Sequence, residues 1–138
     1  MIWRWRCLII CCAIWCGANV WSADNSVENV RLWHSPDRTR VVFDVSADLR
    51  FSTFELSDPR RLVVDLRDTD LNVAIAPLAD NQFIQAIRTG APSEGVLRFV
   101  FELKQAITLG SFVLSPNELY GHRLVLDIAA EQVTVQEL

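Results

Sequence analysis

"RLVVDLR" at Arg61–Arg67 and "RLVLDIA" at Arg123–Ala129 are nearly the same seven residues, written twice in a chain of 138. Side chains alternate between the two faces of a β-strand. In the first copy, Leu62, Val64 and Leu66 would share one face, while the arginine, the central valine and the acid would share the other. The β-branched content favours strand over helix. Each copy is therefore predicted to be a strand with an apolar inner face and an Arg-Val-acid outer face.

Two looser copies follow the same rule, "RVVFDVS" at Arg40–Ser46 and "RFVFEL" at Arg98–Leu103. Other landmarks of the first half also return in the second half at a nearly constant spacing. Arg31, for example, is matched by Arg88. This pattern indicates an internal duplication, in which each half holds about four short strands.

The repeat predicts the fold class. Its halves lie at about residues 27–70 and 84–130, and turn signals containing Pro, Gly, Asp and Ser separate the strands. Short strands at such a spacing favour a β-sandwich. We therefore expect an all-β sandwich of two similar short-stranded sheets, related by a pseudo-twofold axis and forming one domain over residues 24–138.

Residues 1–23 are predicted to be a secretory signal peptide. Arg4 and Arg6 precede an apolar run, Cys7–Cys16, and small residues suited to cleavage follow. A retained membrane anchor is the alternative, but the apolar run, about 15 residues with the segment in which it fades through Gly17 and Asn19, is shorter than the roughly 20 that span a bilayer. We expect export and cleavage, with no stable membrane span afterwards. All four cysteines lie in Cys7–Cys16, so the mature domain is expected to contain no disulfide and no thiolate site.

The charge of the chain argues against nucleic acid as a partner. The chain has 17 acidic and 13 basic residues, a net charge of −4, and loss of the signal peptide would make it more acidic. Nucleic-acid binding requires basic residues that neutralise phosphates. Lys104 is the only lysine. The positive charge is therefore mostly arginine, which suits fixed, bidentate pairing with carboxylates.

The sequence holds no recognisable catalytic or metal-binding motif. Its two histidines, His34 and His122, are not part of an H-x-x-E or H-E-x-x-H pattern. A hydrolase with two carboxyl groups needs one of them protonated. Each acid of the repeat instead follows an arginine, which favours the ionised form. We therefore predict no catalytic residue, no metal and no cofactor.

The outer faces of the repeat strands supply the candidate binding residues. In one interpretation, arginines and acids form cross-strand pairs that keep the sheet faces soluble and block edge pairing. In the other, the arginines bind carboxylates of a ligand and the acids accept its hydroxyls, which would give two similar binding surfaces. The sequence leaves both open. The candidate ligand-binding residues are Arg31, Trp33, Arg40, Asp44, Arg61, Asp65, Arg98, Glu102, Arg123 and Asp127.

Two aromatic residues lie near these faces. Trp33 shares the outward parity of Arg31, where an exposed indole would be a stacking platform for a sugar ring. We expect it instead to lie flat over a neighbouring strand or to cap the sandwich, because tryptophan is usually largely buried. Tyr120 and His122 flank the last turn, and we expect them to pin that turn by hydrogen bonds rather than to contact a ligand.

Four stretches carry a resemblance to a known family: "VRLWHSPDRTRVVFDVS", "FELSDPRRLVVDL", "LRFVFELKQ" and "SFVLSPNELYGHRLVLDI". Through them the chain from about Val27 to Ile128 resembles the AMIN domain, which stands at the N-terminus of exported bacterial N-acetylmuramoyl-L-alanine amidases. The resemblance implies a non-catalytic β-sandwich that binds peptidoglycan and localises its amidase to the division site, for wall remodelling and daughter-cell separation. It also implies a periplasmic, septal location in a Gram-negative envelope, with divisome or envelope proteins as further partners.

The resemblance leaves one alternative and one departure. Relatives of the module occur in type IV pilus secretins, so a protein-interaction role in an envelope assembly is the alternative. The family's amidases continue into a zinc-dependent catalytic domain, and this sequence lacks the corresponding ligand pattern. We therefore expect the targeting module without its enzyme, either as a standalone protein or as a truncated amidase.

Overall fold

A computed structural model describes residues 23–132, and this part of the chain is all-β. The predicted signal peptide lies, except for Ala23, outside the described residues. Between 23 and 132, no helix is long and apolar enough to cross a membrane. The strands are β1 (Asn25–His34), β2 (Arg38–Val45), β3 (Phe51–Leu56), β4 (Arg61–Arg67), β5 (Thr69–Leu71), β6 (Ile84–Gly90), β7 (Val96–Leu103), β8 (Ile107–Leu114) and β9 (His122–Ala130).

The strands form two sheets, which confirms the predicted fold class. One sheet has the order β5-β1-β2-β9-β8 and the other has the order β3-β4-β7-β6. Neighbouring strands are antiparallel, apart from the short pairing of β5 with β1. The three-residue β5 has no counterpart among the described residues of the second half and was not predicted. It extends the five-stranded sheet by one edge strand.

The two halves of the repeat exchange strands. In the five-stranded sheet, β2 of the first half pairs with β9 of the second, and in the other sheet β4 of the first half pairs with β7 of the second. Each sheet therefore combines a hairpin from the first half with a hairpin from the second. This exchange explains how the duplication produces two similar sheets, since each contains one copy of every repeat element.

The core lies between the inner faces that the residue parity assigned. Phe43 on β2 is fully buried, and its ring meets Phe99 of the opposite sheet edge-on at 4.9 Å between centroids. Phe101 lies 6.5 Å from the same ring. Such edge-to-face pairs add to the free energy gained from burial. Phe43 thus connects the two sheets at the centre of the sandwich.

The outer faces differ in one respect from a simple solvated surface. Val42, Val63 and Val125 have the outward parity, yet each is at most 5% exposed. In the strand registers each of them is flanked by long or aromatic side chains on neighbouring strands. Arginine stems and aromatic rings can cover apolar surface while their polar ends reach water. The outer faces are therefore packed layers with an apolar floor.

We expect Phe43→Ala to lower the free energy of unfolding by about 3–5 kcal/mol, because it removes a buried ring and leaves a cavity between the sheets. Urea denaturation measures this loss. Leu119→Ala is the matched control: its side chain is 83% exposed, and its truncation should change stability by no more than about 0.5 kcal/mol. Equal effects of the two substitutions would contradict the assigned core.

Candidate functional site

The outward side chains of the five-stranded sheet lie in three cross-strand rows over β1, β2, β9 and β8. We name this surface the Trp33 face. Its rows are Arg31–Val42–Val125–Phe112, Trp33–Arg40–Asp127–Gly110 and Asn29–Asp44–Arg123–Leu114. The surface brings together six of the ten predicted site residues: Arg31, Trp33, Arg40, Asp44, Arg123 and Asp127.

The four-stranded sheet repeats these rows over β6, β7, β4 and β3, and we name this surface the Gly90 face. Its rows are Arg88–Val100–Val63–Phe54, Gly90–Arg98–Asp65–Ser52 and Ala86–Glu102–Arg61–Leu56. It holds the other four predicted residues, Arg61, Asp65, Arg98 and Glu102. The ten predicted residues are thus divided between opposite surfaces of the sandwich.

One bidentate ion pair joins the two middle strands of each face. Arg40 donates from Nε and Nη2 to the two carboxylate oxygens of Asp127, both at 2.7 Å. Arg98 donates in the same way to Asp65, again at 2.7 Å. These hydrogen bonds hold the pKa of Asp127 and of Asp65 below the ordinary value of 3.8, and they raise the pKa of both arginines. A carboxylate held ionised in this way is a poor general acid.

A second ion pair on each face engages the remaining repeat acid, which is Asp44 on one face and Glu102 on the other. Arg31 Nη2 lies 2.7 Å from Asp44 Oδ1, and Arg88 Nη2 lies 2.9 Å from Glu102 Oε1. The cross-strand pairing that the sequence left as one of two interpretations is therefore present. These pairs belong to the scaffold of the faces, since each joins two neighbouring strands.

Two repeat arginines have no carboxylate partner among residues 23–132. Arg123 donates its Nε to the carbonyl of Gly121 at 3.3 Å, and Arg61 donates its Nε to the carbonyl of Pro59 at 3.1 Å. Within the described residues, the terminal nitrogens of both guanidinium groups are therefore free for another acceptor. An arginine fork of this kind can take a carboxylate with two parallel hydrogen bonds.

The Trp33 face contains a concavity of about 420 Å³ around Arg123. This volume lies within the range of small-ligand sites, roughly 300–1,000 Å³. The lining has three arginines, two aromatic rings and an apolar floor, and no carboxylate within the described part of the chain. The lining residues are Arg31, Trp33, Arg40, Val42, Leu114, Tyr120, Arg123 and Val125.

Aromatic rings and guanidinium groups alternate along one side of this concavity. The Arg31 guanidinium carbon lies 5.1 Å from the ring centre of Trp33 and 5.6 Å from that of Tyr120. Tyr120 in turn lies 4.9 Å from the guanidinium carbon of Arg123. Cation–π contacts at such distances orient both partners. The row Trp33–Arg31–Tyr120–Arg123 therefore presents a free arginine fork beside ordered aromatic surfaces.

The two aromatic residues are both about half exposed, which is more than expected of Trp33 from the sequence. Trp33 is 49% exposed, and the Arg31 guanidinium carbon lies 5.1 Å from its ring centre. Tyr120 is 47% exposed, and its ring lines the concavity. The expected turn-pinning hydrogen bonds come from the backbone of Tyr120: its N–H donates to Asn117 Oδ1 at 2.8 Å, and its carbonyl accepts from the N–H of Asn117 at 2.8 Å.

His122 is the first residue of β9, and its Nδ1 lies 3.1 Å from Asp48 Oδ1. In the described residues, no cluster of three or more His, Cys, Asp or Glu side chains is placed to hold a metal ion.

Comparison with known proteins identifies relatives. A family model described as "AMIN domain" matches residues 29–129. The N-acetylmuramoyl-L-alanine amidase AmiC of Escherichia coli O6:H1 is 36% identical over 112 residues, which cover 78% of this chain and 27% of that relative. The protein of the same name from Neisseria meningitidis serogroup B is 35% identical over 103 residues, covering 71% and 25%. The matches thus span about a quarter of the length of these relatives.

The ion pairs make stability depend on pH in a defined direction. Because the pKa of Asp65 and Asp127 is lower in the folded chain than the ordinary 3.8, their pairs stabilise the fold fully above that value. The stabilisation is lost as pH falls through the folded pKa. We expect the double variant Asp65→Asn with Asp127→Asn to melt lower than the wild type at neutral pH. Its melting temperature should also fall less steeply between about pH 5 and pH 2. Parallel melting curves for the two proteins would contradict the assignment.

Proposed function

The chain belongs to the AMIN domain family, and on this basis we propose that it is a non-catalytic module that binds peptidoglycan and brings a cell-wall amidase to the division septum. In this role it acts in the periplasm, in wall remodelling and daughter-cell separation, with residues 1–23 as its export signal. The family match and the two relatives named as N-acetylmuramoyl-L-alanine amidases support the association with an amidase.

The free guanidinium of Arg123 in the concavity is the observation that carries the proposal. It lies in a lining that holds no carboxylate among the described residues, although the chain as a whole is acidic. Peptidoglycan carries carboxylates on its stem peptides and on lactyl groups that are not joined to a peptide, so it offers the acceptor that Arg123 lacks within the described residues. The neighbouring Trp33 and Tyr120 rings offer surfaces for sugar rings.

The paired acids fit binding better than catalysis. Asp65 and Asp127 are held ionised by Arg98 and Arg40, which keep the pKa of each carboxyl low. Hydrolysis of a glycosidic bond needs a carboxyl group that is protonated near neutral pH. These acids therefore serve the scaffold, and the chain contributes affinity for the wall rather than bond cleavage.

We expect the purified chain to sediment with peptidoglycan sacculi that have been stripped of all protein. Since the proposed contact is between arginine and carboxylate, the bound fraction should fall as ionic strength rises well above about 0.15 M. Quantifying the chain in pellet and supernatant over a salt series measures both effects.

If the chain stays in the supernatant at low salt, the proposal of direct wall binding is wrong. The search would then move to a protein partner in the envelope, such as a divisome component or an assembly of the type IV pilus secretin kind. Adding a membrane and envelope extract to the same sacculi distinguishes the two functions, because only a partner-dependent module would need it.

A further inference from the structure

The duplication provides an internal comparison between two surfaces built on the same plan. Both faces share the central bidentate pair, the second ion pair, the two floor valines and the phenylalanine at the end of the row. The requirements of folding are enough to explain these shared elements, because they join the strands of each sheet. A property found on one face alone needs a different explanation.

The faces differ in their aromatic groups. The register position of Trp33 is taken on the other face by Gly90. Tyr120 has no counterpart either, because it comes from residues 115–121 between β8 and β9, whereas the equivalent turn between β3 and β4 is the shorter segment 57–60. Both additions flank Arg31 and line the same concavity. Both differences between the faces therefore lie at the concavity around Arg123.

The two added rings are exposed to solvent. Trp33 and Tyr120 are each about half exposed, and large half-exposed aromatic residues beside arginine are typical of surfaces that contact a partner. On the Gly90 face, Arg61 has the same free fork as Arg123 but has no tyrosine beside it in the described structure. The free arginine alone is thus common to both faces, and the aromatic setting is specific to one.

From this comparison we propose that the two faces are not equivalent: the Trp33 face is the ligand-binding face, and its ligand is a carboxylate carried next to a sugar ring. The Gly90 face is scaffold. In this arrangement Arg123 binds the carboxylate, and the exposed indole of Trp33 packs against the sugar ring. The inference rests on the proposed wall-binding function and names the surface and the chemistry that it uses.

Peptidoglycan offers this chemistry in two forms. An N-acetylmuramic acid whose lactyl group is not joined to a peptide carries a carboxylate and a methyl group directly on the sugar. A stem peptide carries carboxylates without a sugar ring of its own. Because the Trp33 face combines an arginine fork with an exposed indole, it favours the first source over the second.

Arg123→Ala and Arg61→Ala are matched variants that test the inequivalence. The two arginines begin the same repeat motif, and each donates its Nε to a backbone carbonyl two residues earlier. We expect Arg123→Ala to weaken sedimentation with sacculi by at least about tenfold, since it removes a charge-assisted contact. Arg61→Ala should stay within about twofold of the wild type. Thermal melts confirm that both variants are folded.

A second pair of variants exchanges the positions that differ. Trp33→Gly gives the Trp33 face the residue of the other surface and should reduce binding by about tenfold. Gly90→Trp should leave binding unchanged, because the Gly90 face lacks a Tyr120 equivalent in the described structure. A side chain fits at Gly90, where an added Cβ meets no atom within 4 Å.

Soluble probes test the ligand chemistry without the wall. N-acetylmuramic acid should shift the NMR resonance of the Trp33 indole, whereas N-acetylglucosamine, which lacks the lactyl carboxylate, should bind at least about tenfold more weakly. The dipeptide L-alanyl-D-glutamate supplies carboxylates without sugar and should also bind more weakly. Equal binding of the dipeptide and the muramic acid would overturn the sugar requirement.

The outcomes separate this inference from the proposed function. If the wild type does not sediment with sacculi, wall binding fails, and the soluble probes still report whether the Trp33 face takes a carboxylated sugar. If the wild type sediments and both arginine variants lose binding equally, wall binding stands and the inequivalence of the faces is wrong.

Discussion

The antiparallel pairing of β2 with β9 and of β4 with β7 is the constraint on which the rest of the structure depends. Each pairing joins a strand of the first half of the repeat to a strand of the second. The bidentate pairs Arg40–Asp127 and Arg98–Asp65 span these junctions. Without its partner, either half would leave the edge of a central strand unpaired and an ion pair incomplete. The duplication therefore folds as one unit, with its core between two interlocked sheets.

This pairing also determines what remains available for binding. The repeat acids Asp44, Asp65, Glu102 and Asp127 are each engaged by an arginine from a neighbouring strand. In the described chain, the repeat arginines Arg61 and Arg123, one on each face, form no ion pair with these acids. A rigid scaffold with its charges already satisfied can thus present one free guanidinium group in a fixed position. Preorganisation of this kind reduces the cost of ordering a binding group when a ligand arrives.

Much of the fold could be predicted from residue parity, because alternation along a strand assigns each side chain to a face whatever its neighbours are. Phe43, Leu62 and Leu124 accordingly lie in the core. The exchange of strands between halves could not be predicted in this way, since parity does not specify which strand pairs with which. Wall binding and the predicted signal peptide remain predictions.

The candidate site was only partly predictable from the sequence. Residues that repeat, such as Arg61 and Arg123, stand out in the sequence, whereas the feature that distinguishes the two faces lies in what does not repeat. Trp33 was expected to be largely covered because tryptophan usually is. Its contact with Arg31 could not be predicted, since it depends on how the Arg31–Asp44 pair positions the arginine side chain. Tyr120 reaches the concavity through the conformation of an irregular turn, which local sequence rules describe poorly.

A chemical-shift map of the backbone amides tests the central claim most directly. Soluble glycan fragments that carry free lactyl carboxylates would be added to the isotope-labelled chain. The shifts should concentrate on β1, β9 and residues 115–121, around Arg31, Trp33, Tyr120 and Arg123, and spare the Gly90 face. Comparable shifts around Arg61, Arg88 and Gly90 would contradict the claim, because they would show that both faces of the duplicated sandwich bind the same ligand.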